Sequence, residues 1–202
     1  VLEEVRWFPG ARELVTQARA EMPQKNDLCG AFVTVVSLRA NGIPVRDQDE
    51  AALAAGIRLA PDRVPTWPPG EKSRDDYRLA LPRATGPAEA GASAGGVAHA
   101  IETLSAGRLR AVPASGDWGS AALATLGGTV SGPGGTVVSI VDSCPSLGDQ
   151  GVHVQLLDRL ALALRRENLA TPGGLLLVVE AGEQETAEEL VTSAGLAPCL
   201  WP

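Results

Sequence analysis

Near the start of the chain, the run PQKNDLCGAF brings together three residues that can act jointly on a carbonyl group: Gln24, Cys29 and Gly30. A cysteine attacks as its thiolate. That form is favoured where a helix begins, because unpaired backbone N–H groups and the helix dipole point at it. The apolar run from Cys29 to Ala40, stopped by Asn41-Gly42, predicts such a helix, although its β-branched residues would also suit a strand. Gly30 would leave room for a substrate backbone. Gln24 would offer a side-chain amide that, with the Cys29 backbone N–H, forms an oxyanion hole. The chemistry in view is attack of the sulfur on an amide or acyl carbonyl. The plain alternative makes Cys29 a small buried residue at the end of a core helix.

Such a nucleophile needs a base, and the chain has 2 His. His153 sits in GVHVQ between Val152 and Val154. In a strand it faces away from both, either toward the thiol or into solvent. His99, mid-helix in GGVAHAIET, reads as a surface or packing residue. A competing nucleophile is Ser93, because GASAG (residues 91–95) matches the G-x-S-x-G elbow of serine hydrolases, with Asp142 and His153 following in order. That elbow needs a strand before it, and RATGPAEA is not one, so Ser93 also reads as a helix N-cap. Neither a G-x-G-x-x-G nor a P-loop lysine is present, and SGPGG (131–135) predicts a turn before a strand. Cys144 and Cys199 read as structural, and no metal or cofactor is expected.

The elements that must position these groups alternate irregularly. Helices are predicted over PGARELVTQARAEM, 29–40, DQDEAALAAGI, about 93–105, near SAALATL, LLDRLALALRREN and ETAEELVTSAG; strands over RLRAVPA, TVVSIVDS, GVHVQ and GLLLVVE. Helices come early and strands late, which predicts an α+β fold with a mostly antiparallel sheet, in a single domain over 1–202. An irregular Pro/Gly-rich excursion spans about 60–92. There Trp67, Arg74 and Tyr77, with Asp75, Asp76 and Arg78, would suit a cleft for an extended peptide, or simply a solvated loop. Trp118 in WGS is a further candidate lining residue.

The formal net charge of −7, with no Lys/Arg cluster, argues against nucleic acid as a partner. No apolar run approaches the ~20 residues of a membrane helix, and no signal pattern opens the chain, which lacks a starting Met and is read as trimmed. Three Cys without CxxC spacing suit a reducing cytoplasm better than a disulfide scaffold.

Gln, a polar spacer, then Cys-Gly opening a buried helix resembles the papain-like cysteine peptidase superfamily, in particular the bacteriocin-leader-processing (C39-type) peptidases. TVVSIVDSCPSLG resembles that family's strand ending in Asp-Pro. The whole chain, through PQKNDLCGAF, SRDDYRLALP, SAGGVAHAIETLSAGRLRAVPASG and DSCPSLGDQGVHVQ, resembles an actinobacterial family of this layout without known activity. The resemblance implies a papain-like fold, with Cys29 as nucleophile, Gln24 as oxyanion donor and Asp142 orienting the base; of the two histidines in the chain, His153 is the candidate left for that base. It implies hydrolysis or acyl transfer on a peptide or amide within a bacterial biosynthetic or peptide-maturation pathway. The Gln-x4-Cys spacing is one residue shorter than the family's. Its His strand would fall within SAALATLGGTVSG (120–132), which has no His. The alternative is therefore a catalytically degenerate domain of the same fold that binds a peptide or protein partner.

Overall fold

The structure, a computed structural model, describes residues 4–6, 9–25, 27–59, 92–126, 128–166 and 173–201. It divides into two compact units: residues 12–106 with 141–152, and residues 1–11 with 107–140 and 153–202.

The first unit is helical: α1 (Ala11–Glu21), α2 (Cys29–Ala40), α3 (Gln48–Ala54) and α4 (Ala94–Leu104). At its centre lies α2, with Ala31, Phe32, Thr34, Val35, Val36 and Leu38 all buried. A helix apolar on nearly every side belongs inside a packed unit. Its β-branched residues stay helical because that burial outweighs their propensity, and Thr34 returns its hydroxyl to the Gly30 carbonyl at 2.8 Å. Asn41 and left-handed Gly42 stop the helix as the sequence predicts. Small residues let the helices close in. A Cβ on Gly96 would come within 2.5 Å of the Ala55 carbonyl oxygen, and one on Gly30 within 2.8 Å of Ala92 Cβ. Ala18, Met22, Phe32 and Val36 form an apolar cluster against which Leu14 and Val141 pack. On α1, Ala18 is buried, while Leu14 and Val15 are half-buried.

The second unit carries the sheets. Its elements are β1 (Glu4–Val5), β2 (Leu109–Ser115), α5 (Ser120–Leu126), β3 (Thr129–Gly132), β4 (Gly135–Val141), β5 (Val152–Leu156), α6 (Leu157–Arg165), β6 (Gly174–Glu180) and α7 (Gln184–Ser193). The expected sheet is two sheets among the described residues, one ordered β1-β3-β4-β5 and one of β2 and β6. β3 and β4 are an antiparallel pair closed at Gly132↔Gly135, so SGPGG turns between two strands rather than merely preceding one. β2 and β6 pair antiparallel along their whole length, from Leu109↔Glu180 to Ser115↔Gly174. The core gathers Val112, Trp118, Leu123, Leu157, Val191 and Leu196. The class is α+β with antiparallel sheets.

Candidate functional site

Cys29 is the first residue of α2, and it is exposed. The preceding residue, Leu28, is the N-cap and gives no side-chain cap. The sulfur thus stands at a helix start where backbone N–H groups lack intrahelical partners. Leu28 itself is fully buried and anchors the helix start in the unit.

The approach to Cys29 is a short loop from Met22 to Leu28. Asp27 turns it in a left-handed conformation (φ 62°), and the Leu28 N–H closes it onto the Lys25 carbonyl at 3.1 Å. Gln24 lies in this loop and is half-buried. The loop is fixed from α3. Gln48, 2 % exposed, accepts the Lys25 N–H through Oε1 at 2.8 Å and donates from Nε2 to the Pro23 carbonyl at 3.1 Å and to Glu21 Oε1 at 3.0 Å. The Lys25 ammonium pairs with Asp49 Oδ2 at 2.6 Å.

α3 is capped in turn. Asp47 accepts the Glu50 N–H at 3.0 Å, while Glu50 accepts the Arg46 N–H at 2.7 Å. Burial alone would push the Asp47 carboxyl up. The Glu50 N–H and the charges of Arg46 and Lys25 outweigh that and hold it below its ordinary value. Arg39 completes the frame, donating to the Val45 and Arg46 carbonyls at 2.9 and 2.7 Å and pairing with Glu21 at 2.6 Å.

The other predicted residues take different places. The space above Gly30, expected to admit a substrate backbone, is filled by Ala92 and Val97 of the same unit. Asp142 also belongs to the helical unit. Its Oδ1 accepts the Cys144 N–H at 2.7 Å, and its backbone N–H donates to the Gly151 carbonyl at 2.7 Å, so it organises the 142–151 loop. His153 belongs to the sheet unit. It is half-buried, with Nδ1 3.2 Å from Gln155 Nε2, while its neighbour Val154 is 63 % exposed. The expected alternation does not hold along this strand: Val152 and His153 are both half-buried, and Val154, Gln155 and Leu156 are all exposed, so exposure grows along the strand instead of switching face by face. His99 is exposed on α4.

Trp118 does not line a cleft: it is fully buried in the sheet-unit core, and its indole N–H donates to the Gly173 carbonyl at 2.9 Å. The indole packs better as core than a sequence neighbourhood of Gly and Asp suggests. Ser93 caps α4, its hydroxyl accepting the Gly96 N–H at 3.0 Å. Trp67, Arg74 and Tyr77 lie outside the described residues. Among those residues, no helix is long and apolar enough to cross a membrane. Sequence reasoning missed Gln48. DQDEAAL offers only the acidic first turn as a signal, and a glutamine there reads as solvated.

Fold and site thus define an α+β protein with an exposed thiol at the start of a buried helix. The chain belongs to DUF6885, a family of unknown function, whose model matches residues 8–127 and 123–202. The two matched segments overlap at 123–127, inside the stretch 120–132 that has no His. No curated protein and no solved structure matches the chain.

Proposed function

We propose that the chain is a papain-like cysteine hydrolase or acyltransferase acting on a peptide or amide. The observation that carries this reading is the exposed thiol of Cys29 at the first turn of the buried helix α2. The sulfur, as thiolate, adds to the substrate carbonyl. The resulting oxyanion is held by the Cys29 N–H and the Gln24 amide. The C–N bond then breaks, the amine leaves with the proton that the general base took from the thiol, and a thioester stays on Cys29. Water, or an acceptor amine, attacks the thioester carbonyl and releases the sulfur.

The test is alkylation by iodoacetamide across pH, read as mass on each cysteine, with Cys29→Ala as control. Cys199 is also exposed and serves as the internal reference. Modification of Cys29 at least about ten-fold faster than Cys199 at pH about 6, where an ordinary thiol is protonated, is the expected outcome. Equal rates, both rising only above about pH 8, would overturn it. His153→Ala and His99→Ala in the same assay show which imidazole, if either, the thiol depends on.

A second reading, a degenerate domain of the same fold that binds a peptide or protein partner, is favoured by one observation. The strand before β4 is TVSG (Thr129–Gly132), and it carries no His where the resemblance implies one. Equal cysteine rates would favour this reading.

A further inference from the structure

The backbone on both sides of Gln24 is gripped by one buried side chain. Gln48 Oε1 takes the N–H of the residue after Gln24, and Gln48 Nε2 gives a hydrogen to the carbonyl of the residue before it. The remaining Nε2 hydrogen goes to Glu21 Oε1. The acceptor oxygen and both amide hydrogens are thus engaged, which is what a side chain only 2 % exposed requires. The orientation of the amide is dictated as well. The Lys25 N–H can only donate and the Glu21 carboxylate can only accept, so oxygen and nitrogen cannot exchange places. Glu21 is itself held by Arg39, at 2.6 Å.

A grip on residues 23 and 25 fixes the direction in which the Gln24 side chain leaves the backbone. Because the Leu28 N–H closes on the Lys25 carbonyl at 3.1 Å, the same grip sets the path into Cys29. We infer that Gln48 is a positioning residue: by holding the Pro23 carbonyl and the Lys25 N–H it presents the Gln24 amide as the oxyanion donor. The inference rests on the Cys29 reading above. An oxyanion hole gains its strength from donors fixed before the reaction, and a donor on a loop has that property only if the loop is clamped.

Two reagents separate positioning from mere stapling. p-Nitrophenyl acetate acetylates Cys29 by sulfur attack on the acetyl carbon; an oxyanion forms and collapses, and p-nitrophenolate leaves. Iodoacetamide alkylates the same sulfur by displacing iodide, with no oxyanion. Both rates are read as mass on the Cys29 peptide of the full chain. In Gln48→Met, which keeps the volume, acetylation is expected to fall toward the loss of about 100-fold or more that removing an oxyanion donor causes, with alkylation unchanged within about two-fold. Gln24→Ala should show the same selective loss, and the double variant no further loss, because both act through one amide.

Gln48→Glu is the second variant. Its carboxylate would face the Pro23 carbonyl and Glu21, so acetylation should be low at pH about 8. The deficit relative to wild type should shrink toward pH about 5, where a protonated carboxyl regains one donor. Positioning confines both the deficit and its recovery to acetylation, whereas a staple would move alkylation with it.

Gln48→Met at the wild-type acetylation rate, with Gln24→Ala impaired, would overturn this inference and leave the Cys29 reading standing. A parallel fall of both rates in Gln48→Met, or a Gln48→Glu deficit and recovery shared equally by alkylation, would reduce Gln48 to a staple. An unimpaired Gln24→Ala would remove the oxyanion role and this inference with it, while rapid alkylation of Cys29 would still support the thiol.

Discussion

Two loops of the helical unit carry residues that the sequence marks for chemistry, and they are built in different ways. The loop before α2, with Gln24 and the approach to Cys29, is clamped from outside by a buried amide, an ion pair from Lys25 to Asp49, and the capped start of α3. The 142–151 loop, with Asp142 and Cys144, is shaped by turns of its own. Cys144 donates to Asp142, Leu147 to the Cys144 carbonyl, Gly151 to the Leu147 carbonyl and Asp142 to the Gly151 carbonyl. Residues 146–150 are exposed, and their ion pair to the rest of the unit is Arg19 with Asp149, themselves 42 % and 79 % exposed. A clamp made by a neighbouring element fixes a loop relative to the site it serves. A set of internal turns fixes only the loop's own shape. The difference places preorganisation at the mouth of α2.

The comparison is broken most forcefully at the closing point of the second loop. Gly151 is buried with φ +84°, and a Cβ there would fall onto the Asp142 carbonyl oxygen and within 2.8 Å of Met22 Cε. Gly151→Ala should cost about 2–4 kcal/mol, from left-handed strain plus overpacking against backbone that cannot retreat. The urea midpoint measures it, and Cys29 alkylation in the still-folded variant should stay within about two-fold of wild type, since the flexible Met22 thioether end can yield while Gln48 holds Pro23 and Lys25 beyond it. A large change in Cys29 reactivity would show that the two loops are one structure.

The first loop is probed through its foundation. Asp47 caps the turn that begins with Gln48, so Asp47→Ala should cost about 1 kcal/mol. Its carboxyl is held below the ordinary value of 3.8 by the Glu50 N–H and by Arg46 and Lys25, against the upward push of burial. The unfolded chain therefore takes up the proton at higher pH than the folded one. The stabilisation is complete above pH about 4 and is lost as pH falls through the lowered folded value. Asp47→Asn keeps a capping oxygen without the titration. Thermal melts should show wild type losing ground to that variant only below pH about 4. An unchanged difference from pH about 7 to 3 would mean that the cap carries no charge-dependent part.

How far this arrangement could be read from the letters differs element by element. The bounds of α2 were legible because Cys-Gly starts an apolar run and Asn41-Gly42 ends it, and Ser93 was legible as a cap. The β-branched residues of α2 left helix and strand open, and only tertiary burial of Thr34 and Val35 decides for helix. β1 was illegible: two residues form a strand only because Ser131 and Val130, far along the chain, pair with them. Gln48 was illegible for a related reason. Its type and place predict a solvated helix start, and its burial depends on Pro23, Lys25 and Glu21 arriving from other elements. Trp118 misled in the other direction, since its partner, the Gly173 carbonyl, is also remote in sequence. The Cys29 helix was thus visible as local pattern, while the side chain that clamps its approach was visible only as contact.

The smallest effect falls on the tip of the second loop. Arg19 and Asp149 meet at 2.7 Å, but both are largely in water, where an ion pair gains little over its hydrated, mobile alternatives. Arg19→Ala should therefore shift stability by no more than about 0.5 kcal/mol, and less at about 1 M salt, in urea unfolding. A cost above about 1 kcal/mol, insensitive to salt, would mean that the tip is fastened as firmly as the approach to Cys29. The contrast between the clamped approach to Cys29 and the loop that carries Asp142 would then be lost.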